Sequence, residues 1–486
     1  MNITMPAFVT DPFFILFVAV LVMVAGIIWF RLHAFIALLL AAFIVALMTP
    51  ASSIEQFALA SGMSAAEAVA LAEKSIGERV AGAFGNTSAQ IGILIAMAAV
   101  IGKCLLESGG AERIVRSVIR VTGISKAPFA FTVSSFFLAI PVFFDTVFYL
   151  MVPLAKALAA RLKKNYLLLI LSIAAGGTMA HSLLPPTPGP LFLVAVMDIP
   201  IHMMMTGGFI VGIFAVTSGY IYAVWIDKKL SIPLRDSPDA RVSQIEALSK
   251  TESDNLPPLW FSSLPILLPV LFISMNGITE AFMGDASDGS VIYYVRGVIS
   301  FIGDKNIALV IGALVALLLL SRQKSGDPGL ISSSVQNALM SGGVIILITA
   351  AGGAFGGMLQ QTGISLKIAE LTREYQMALI PLAFIITAVV RTAQGSATVS
   401  MITAAGILSG MSGNGGLDYH VLYLGLAIAC GSKPFPWMND SGFWIISRMS
   451  NFTPGETLKS FSSMLAVMGV TGLIITYIGA LVFPMV

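Results

Sequence analysis

The sequence predicts an all-α polytopic membrane protein made of two inverted repeats, each with about five transmembrane helices, one re-entrant hairpin and one broken helix. Three observations carry that prediction. The chain is 57% hydrophobic and only 11% charged over 486 residues, where a soluble domain has roughly 25% charged residues. Apolar runs recur at 12–30, 34–48, 207–226, 307–320 and 462–482, and they approach the ~20 residues that cross a bilayer. Finally, segments of the first half return in the second at one constant spacing.

No Lys or Arg precedes the first run, unlike a signal peptide with its basic start, so it is read as a retained helix. A polar stretch, 52–88, follows the second run. Within it Ser64 and Glu67 spell a capping box that starts a short surface helix. Next comes "GKCLLESGGAERIV" from Gly102, matched by "GGMLQQTGISLKIA" from Gly356, an offset of 356 − 102 = 254. Lys103 and Glu107, one helical turn apart, read as an ion pair. The same offset brings "AAGGTMAHSLLPPTPGPL" onto "IACGSKPFPWMNDSGFWI", with Ala175 on Ala429 and Gly177 on Gly431. The halves, 1–226 and 259–486, are joined by 227–258, a charged stretch containing proline that reads as a linker. Thr453, Pro454 and Glu456 spell another helix start.

Loop charges set the topology. Arg31, then Arg113, Arg116, Arg120 and Lys126, then Lys156, Arg161, Lys163 and Lys164, then Lys228 and Lys229 mark one set of loops as cytoplasmic. The alternate loops carry Glu55, Glu67 and Glu73, then Asp198, then Glu280, Asp285 and Asp288. These sides stay consistent only if 129–153 enters and returns as a re-entrant hairpin. An odd number of crossings then starts the second half from the opposite face, which inverts the repeats. Its hairpin, 379–408, dips in from outside. Both termini lie outside, and the linker lies in the cytoplasm.

Broken helices are expected at 174–190 and 428–444. "AHSLLPPTPGPL", from Ala180, sets one histidine, four prolines and a glycine in an otherwise apolar run. Irregular backbone at bilayer depth is tolerated only where it is buried in protein or lines a wet cavity. Half-helix N-termini attract anions. Breaks at corresponding positions of two halves therefore point to a transporter site.

Asp145, His181, Arg391, Lys433 and Asp440 lie at or beside the breaks, where a charge costs at least ~2.5–3.5 kcal/mol and is functional by default. Arg391 has an anion to bind or a carboxylate to pair with; Asp145 and Asp440 are alternatively structural partners of Arg391 and Lys433. Around them Thr146, Ser182, Thr187, Ser396, Thr398, Ser432 and Ser441 supply hydroxyls, Gln394 and Asn439 supply amides, and Gly395 supplies open backbone. Such a set suits a small hydroxylated carboxylate better than an amine or an inorganic cation, because donors dominate. Asp145, among Phe143, Phe144 and Phe148 with no basic residue in its own segment, is the leading proton carrier. His181 and Asp440 are the others, Asp440 having Lys433 nearby to hold it ionised. No cofactor or metal is expected, since Cys104 and Cys430 lack ligand spacing. A net charge of +2 gives no reason to expect nucleic acid.

At these residues the sequence resembles the gluconate permease family, proton-linked symporters of the ion transporter superfamily. The resemblance runs through "IGKCLLESGGAERI", "IPVFFDTVFYLMVPLA", "HSLLPPTPGPL", "RTAQGSATVSMITAAG" and "NDSGFW". It implies uptake of gluconate or related sugar acids across a bacterial inner membrane, with some members taking other small hydroxy acids or D-serine. The superfamily implies a homodimer with a scaffold and a moving transport domain. Asp145, His181, Arg391, Asn439 and Asp440 fall on family motif positions. The chain departs from the family at "SKPFPWMND", which adds Lys433, Pro434, Pro436 and Trp437 where members have a Ser-rich run without proline; the inserts 52–88 and 276–305 are also long. The expected activity is proton-coupled symport of gluconate or a related small hydroxycarboxylate by alternating access. Sodium coupling is the alternative within the class. An intramembrane hydrolase built on Ser182 and His181 lacks a nucleophile elbow, and a channel lacks a filter signature.

Overall fold

A computed structural model describes residues 8–123, 126–235, 256–282, 291–364, 367, 376–409, 417–438 and 440–485. These residues form helices and connections without a strand. The first half holds α1 (Pro12–Ile28), α2 (Ala34–Met48), α3 (Ala51–Ala60), α4 (Ala65–Glu73), α5 (Ile76–Glu107), α6 (Gly110–Thr122), α7 (Ala127–Leu138), α8 (Phe144–Leu162), α9 (Tyr166–Leu183), α10 (Pro188–Val196) and α11 (Ile201–Leu230). The second holds α12 (Leu259–Phe282), α13 (Val291–Gly303), α14 (Lys305–Gln323), α15 (Pro328–Gln361), α16 (Leu379–Gln394), α17 (Ala397–Leu408), α18 (Leu422–Gly431), α19 (Ser441–Ser450), α20 (Pro454–Thr457) and α21 (Ser463–Val482). A π-helical stretch, Leu458–Ser462, joins the last two.

The helix starts follow local chemistry. Ser64 Oγ accepts from the Glu67 amide while the Glu67 carboxylate accepts from the Ser64 amide, the expected capping box. Those bonds hold the Glu67 carboxyl below its ordinary value. Ser75 with Glu78 and Thr453 with Glu456 repeat the arrangement. Lys103 pairs with Glu107 at 2.9 Å. Large apolar side chains stay exposed in stripes one turn apart, such as Phe17 and Leu21 on α1, Ile210 and Phe214 on α11, and Val470, Ile474 and Ile478 on α21. Lipid is the medium that covers such stripes.

Among the described residues eight helices are long and apolar enough to cross a membrane, or nine if α2 and α3, bent by 101° at their junction, count as one span. Three of the eight, or four with the bent pair, lie in the first half and five in the second, where Gln376–Gln394 is the first arm of the expected hairpin; α1, α7, α13, α17 and α18 are shorter apolar helices. The protein is a multi-pass integral membrane protein. Two expected boundaries move. The stretch 52–88 holds α3, α4 and the first turns of α5, so its end belongs to a span. The linker cannot begin at 227, because α11 continues through Leu230 and Asp227 Oδ1 accepts from the Leu168 amide at 3.0 Å near the start of α9. Residues 236–255 lie outside the described residues.

Helices end and restart within the four irregular stretches. Helices α7 and α8 form the first hairpin around a turn at 139–143, and α16 and α17 form the second around Gly395 and Ser396. Helix α9 stops before 184–187 and resumes as α10; α18 stops before 432–440 and resumes as α19. Equivalent helices α5 and α15 pack along each other and run antiparallel. Glu107 at the end of α5 accepts from Ser334 Oγ in α15, while Arg79 in α5 donates to Gln361 Oε1 at the end of α15 at 2.7 Å. Glu107 and Gln361 are 361 − 107 = 254 apart, the offset that separates the matched segments, so matched ends of α5 and α15 lie at opposite ends of the pair.

Packing around α5 and α15 is lopsided. Helices α10 and α17 pack on each other and against α15, so closely that Gly356 and Gly406 touch backbone to backbone. Helices α8 and α19 pack on each other, but among the described residues they make no comparable packing on α5 or α15.

Candidate functional site

The breaks converge on one cavity of about 310 Å³. Its walls are built from helix ends. Helix α16 closes at Gly395, whose left-handed φ of 79° favours glycine; its amide donates to Arg391 O at 2.8 Å. Ser396 then caps α17 by accepting from the Val399 amide at 3.3 Å. Asp440 caps α19, its Oδ1 accepting from the Phe443 amide at 2.7 Å. Asp145 sits in the first turn of α8. Three half-helix N-termini, of α8, α17 and α19, thus border the cavity, and each presents free amides and a positive dipole end.

Arg391 Nη1 pairs with Asp440 Oδ2 and also donates to Gly395 O, with both charged side chains only 6% exposed. One buried ion pair therefore ties the second hairpin to the second broken helix. Of the two roles open to Arg391 in the sequence, the structure displays the pairing. Asp440 was expected to be held by Lys433. Residues 434–438 are not helical, so seven positions do not place one above the other. Lys433 turns instead toward α9, where its Nζ donates to Thr178 O at 2.7 Å, and the residue is 3% exposed. The His181 ring meets Phe143 edge-on at 6.1 Å, and its Nδ1 is buried without a protein partner.

Of the residues singled out from sequence, Asp145, Thr146, His181, Arg391, Gly395, Ser396, Thr398, Lys433, Asp440 and Ser441 line the cavity, with Phe143 and Phe144 beside Asp145. Four others face elsewhere. Thr187 Oγ1 donates to Leu184 O at 2.6 Å, Ser432 Oγ donates to Ala429 O at 2.7 Å, Gln394 Nε2 donates to Met23 Sδ at 3.1 Å, and Ser182 is wholly buried off the lining. Asn439 lies outside the described residues. The lining adds Thr178, Ala397, Gly442, Ile345, Phe461 and Leu465. Thr178 was within reach of inference, one helical turn before His181 on α9. Ile345, Phe461 and Leu465 come from unbroken segments and carry no local mark.

Comparison with known proteins gives a consistent picture. The sequence profile described as GntP family permease matches residues 12–482. The chain is 32% identical over 444 residues to an uncharacterized permease of Haemophilus influenzae, covering 90% of this chain and 86% of that one. It is 30% identical to a gluconate permease of Zymomonas mobilis, covering 79% and 83%, and 28% identical to a high-affinity gluconate transporter of Escherichia coli, covering 95% and 98%. Among solved structures, the YdaH transporter of Alcanivorax borkumensis aligns with a TM-score of 0.58 over 83% of this chain and 88% of that one, at 14% identity. That likeness extends to the fold alone.

Proposed function

The chain belongs to the GntP family of permeases, and from that premise we propose that it is a proton-coupled symporter taking up gluconate or a related small hydroxycarboxylate across a bacterial inner membrane by alternating access. The observation that carries the reading is the cavity itself, with cationic and donor groups gathered where half-helices end. Positive helix ends suit a carboxylate, while Ser396, Thr398, Thr146 and Ser441 suit the hydroxyls of a sugar acid.

In this reading Asp145 carries the proton. It lines the cavity beside Phe143 and Phe144 and, unlike Asp440, has no cationic partner among the described residues. Protonation and substrate binding must favour the same conformational state, because a ligand shifts an equilibrium only by its differential affinity. The lopsided packing supports alternating access: the α10–α17 side is closed on α15, while the α8–α19 side is free of it. With inverted repeats and both termini outside, the closed side faces outward. The reading takes two chains as a homodimer, each with a scaffold and a moving domain.

Reconstituted in liposomes, the protein is expected to accumulate labelled gluconate, or a sugar acid like it, saturably under an imposed inward proton gradient and to stop when a protonophore is added. Accumulation driven by a sodium gradient alone, or no saturable uptake of any acid in a panel of aldonates and hydroxy acids, would overturn the proposal.

A further inference from the structure

The cavity holds two cations, and only one of them is committed to the protein. Arg391 is engaged by the Asp440 carboxylate and by Gly395 O. Among the described residues the Nζ of Lys433, a residue 3% exposed, makes one hydrogen bond, to the carbonyl of Thr178, and no ion pair with a carboxylate. An ammonium has three donors, so two are left over. A buried, unneutralised charge costs several kcal/mol. The chain around it is packed closely under α21: a Cβ on Gly469 would lie 2.9 Å from Cys430 O and 3.1 Å from Lys433 Cβ, so the glycine lets α21 cover the turn that carries the lysine. The ionisable groups that share the cavity are Asp145 of α8, His181 of α9, Arg391 of α16 and Asp440 beside α19.

We propose that Lys433 Nζ receives the substrate carboxylate and that it makes this chain selective for acids with a single carboxylate. The proposal rests on the transport reading and deepens it. Arg391 and Asp440 cancel each other. With Asp145 protonated, Lys433 is the one uncompensated charge, and a monocarboxylate neutralises it. The loaded cavity is then neutral, the condition under which a polar cargo is least costly to hold in a low-dielectric interior. A second carboxylate on the substrate meets no second free cation among the described residues that line the cavity. Hydroxyls of the substrate fall to the serines and threonines at the helix ends, so a polyol without a carboxylate keeps those contacts and loses the charged one.

The test is a binding titration of the purified full chain with gluconate, with glucarate, which carries a second carboxylate, and with sorbitol, which carries none. The wild type is expected to bind gluconate more tightly than either. Lys433→Gln should weaken gluconate by roughly tenfold or more, the scale of losing a charge-assisted bond, while leaving sorbitol unchanged; Lys433→Arg should restore part of the loss. Lys433→Met should fold and, without ligand, unfold no earlier than the wild type, because replacing an uncompensated buried charge with an apolar chain of similar size relieves strain on the fold. Gluconate binding by Lys433→Gln at wild-type affinity overturns the assignment. So does a Lys433→Met chain that unfolds well before the wild type, since the lysine then serves the fold. If the wild type binds none of the acids, the transport reading fails first and takes this proposal with it. If the wild type binds and the Lys433 variants are indifferent, only the Lys433 assignment fails.

Discussion

Arg391 and Asp440 are 440 − 391 = 49 residues apart in the chain, yet they form the bond that closes two helix breaks onto each other. Their side chains are 6% exposed, and removing one partner of a buried pair strands the other charge, typically at a cost of about 3–5 kcal/mol. Arg391→Gln and Asp440→Asn should each lower stability on that scale. The double variant should lose less than the sum, because contacting residues couple. Unfolding monitored in detergent reads all three, and strictly additive losses would deny the pair. Arg391→Lys should recover only part, since a point charge cannot serve both Gly395 O and a carboxylate with fork geometry. The sequence displayed the two roles of Arg391 but could not choose between them. The choice depends on how the second hairpin approaches the second broken helix, which no local spacing encodes.

Helix breaks were the most legible elements, because Gly395, Ser396, Pro185, Pro186 and Pro188 remove the backbone conformations or donors that a continuing helix needs. What lines the resulting cavity was less legible, and the reason is local. A hydroxyl near a helix end can bond a carbonyl of its own turn, as Thr187 and Ser432 do. Composition therefore placed them at the breaks without revealing that they turn away. The matched glycines Gly177 and Gly431, which the sequence displayed only as a repeat, carry close crossings: Gly177 packs on Phe144, and Gly431 sits on the backbone of α16. A Cβ at Gly431 would stand 2.5 Å from Phe384 O and 2.9 Å from Thr387 Cβ. Gly431→Ala should thus force α16 and α18 apart and cost about 1–3 kcal/mol. A thermal midpoint equal to the wild type would show that the crossing has slack.

For the whole molecule, the constant offset marked α5 and α15 as counterparts, and their antiparallel pairing is what the proposed inverted repeat requires. The lopsided closure had no counterpart in the sequence, because a repeated sequence describes both faces alike. The proposed topology predicts that Ser61→Cys is labelled by an impermeant reagent in intact cells, whereas Ser231→Cys is labelled only after permeabilisation; both positions are exposed, and Cys104 and Cys430 are buried. The reverse pattern would invert the orientation. The central claim, a carrier that couples one proton site to one carboxylate site, is tested most directly by Asp145→Asn in liposomes. Asparagine has the shape of a protonated aspartate and cannot release a proton, so the variant should lose uphill accumulation of gluconate under a proton gradient while still exchanging gluconate between equal pools. Accumulation at the wild-type level would contradict the account.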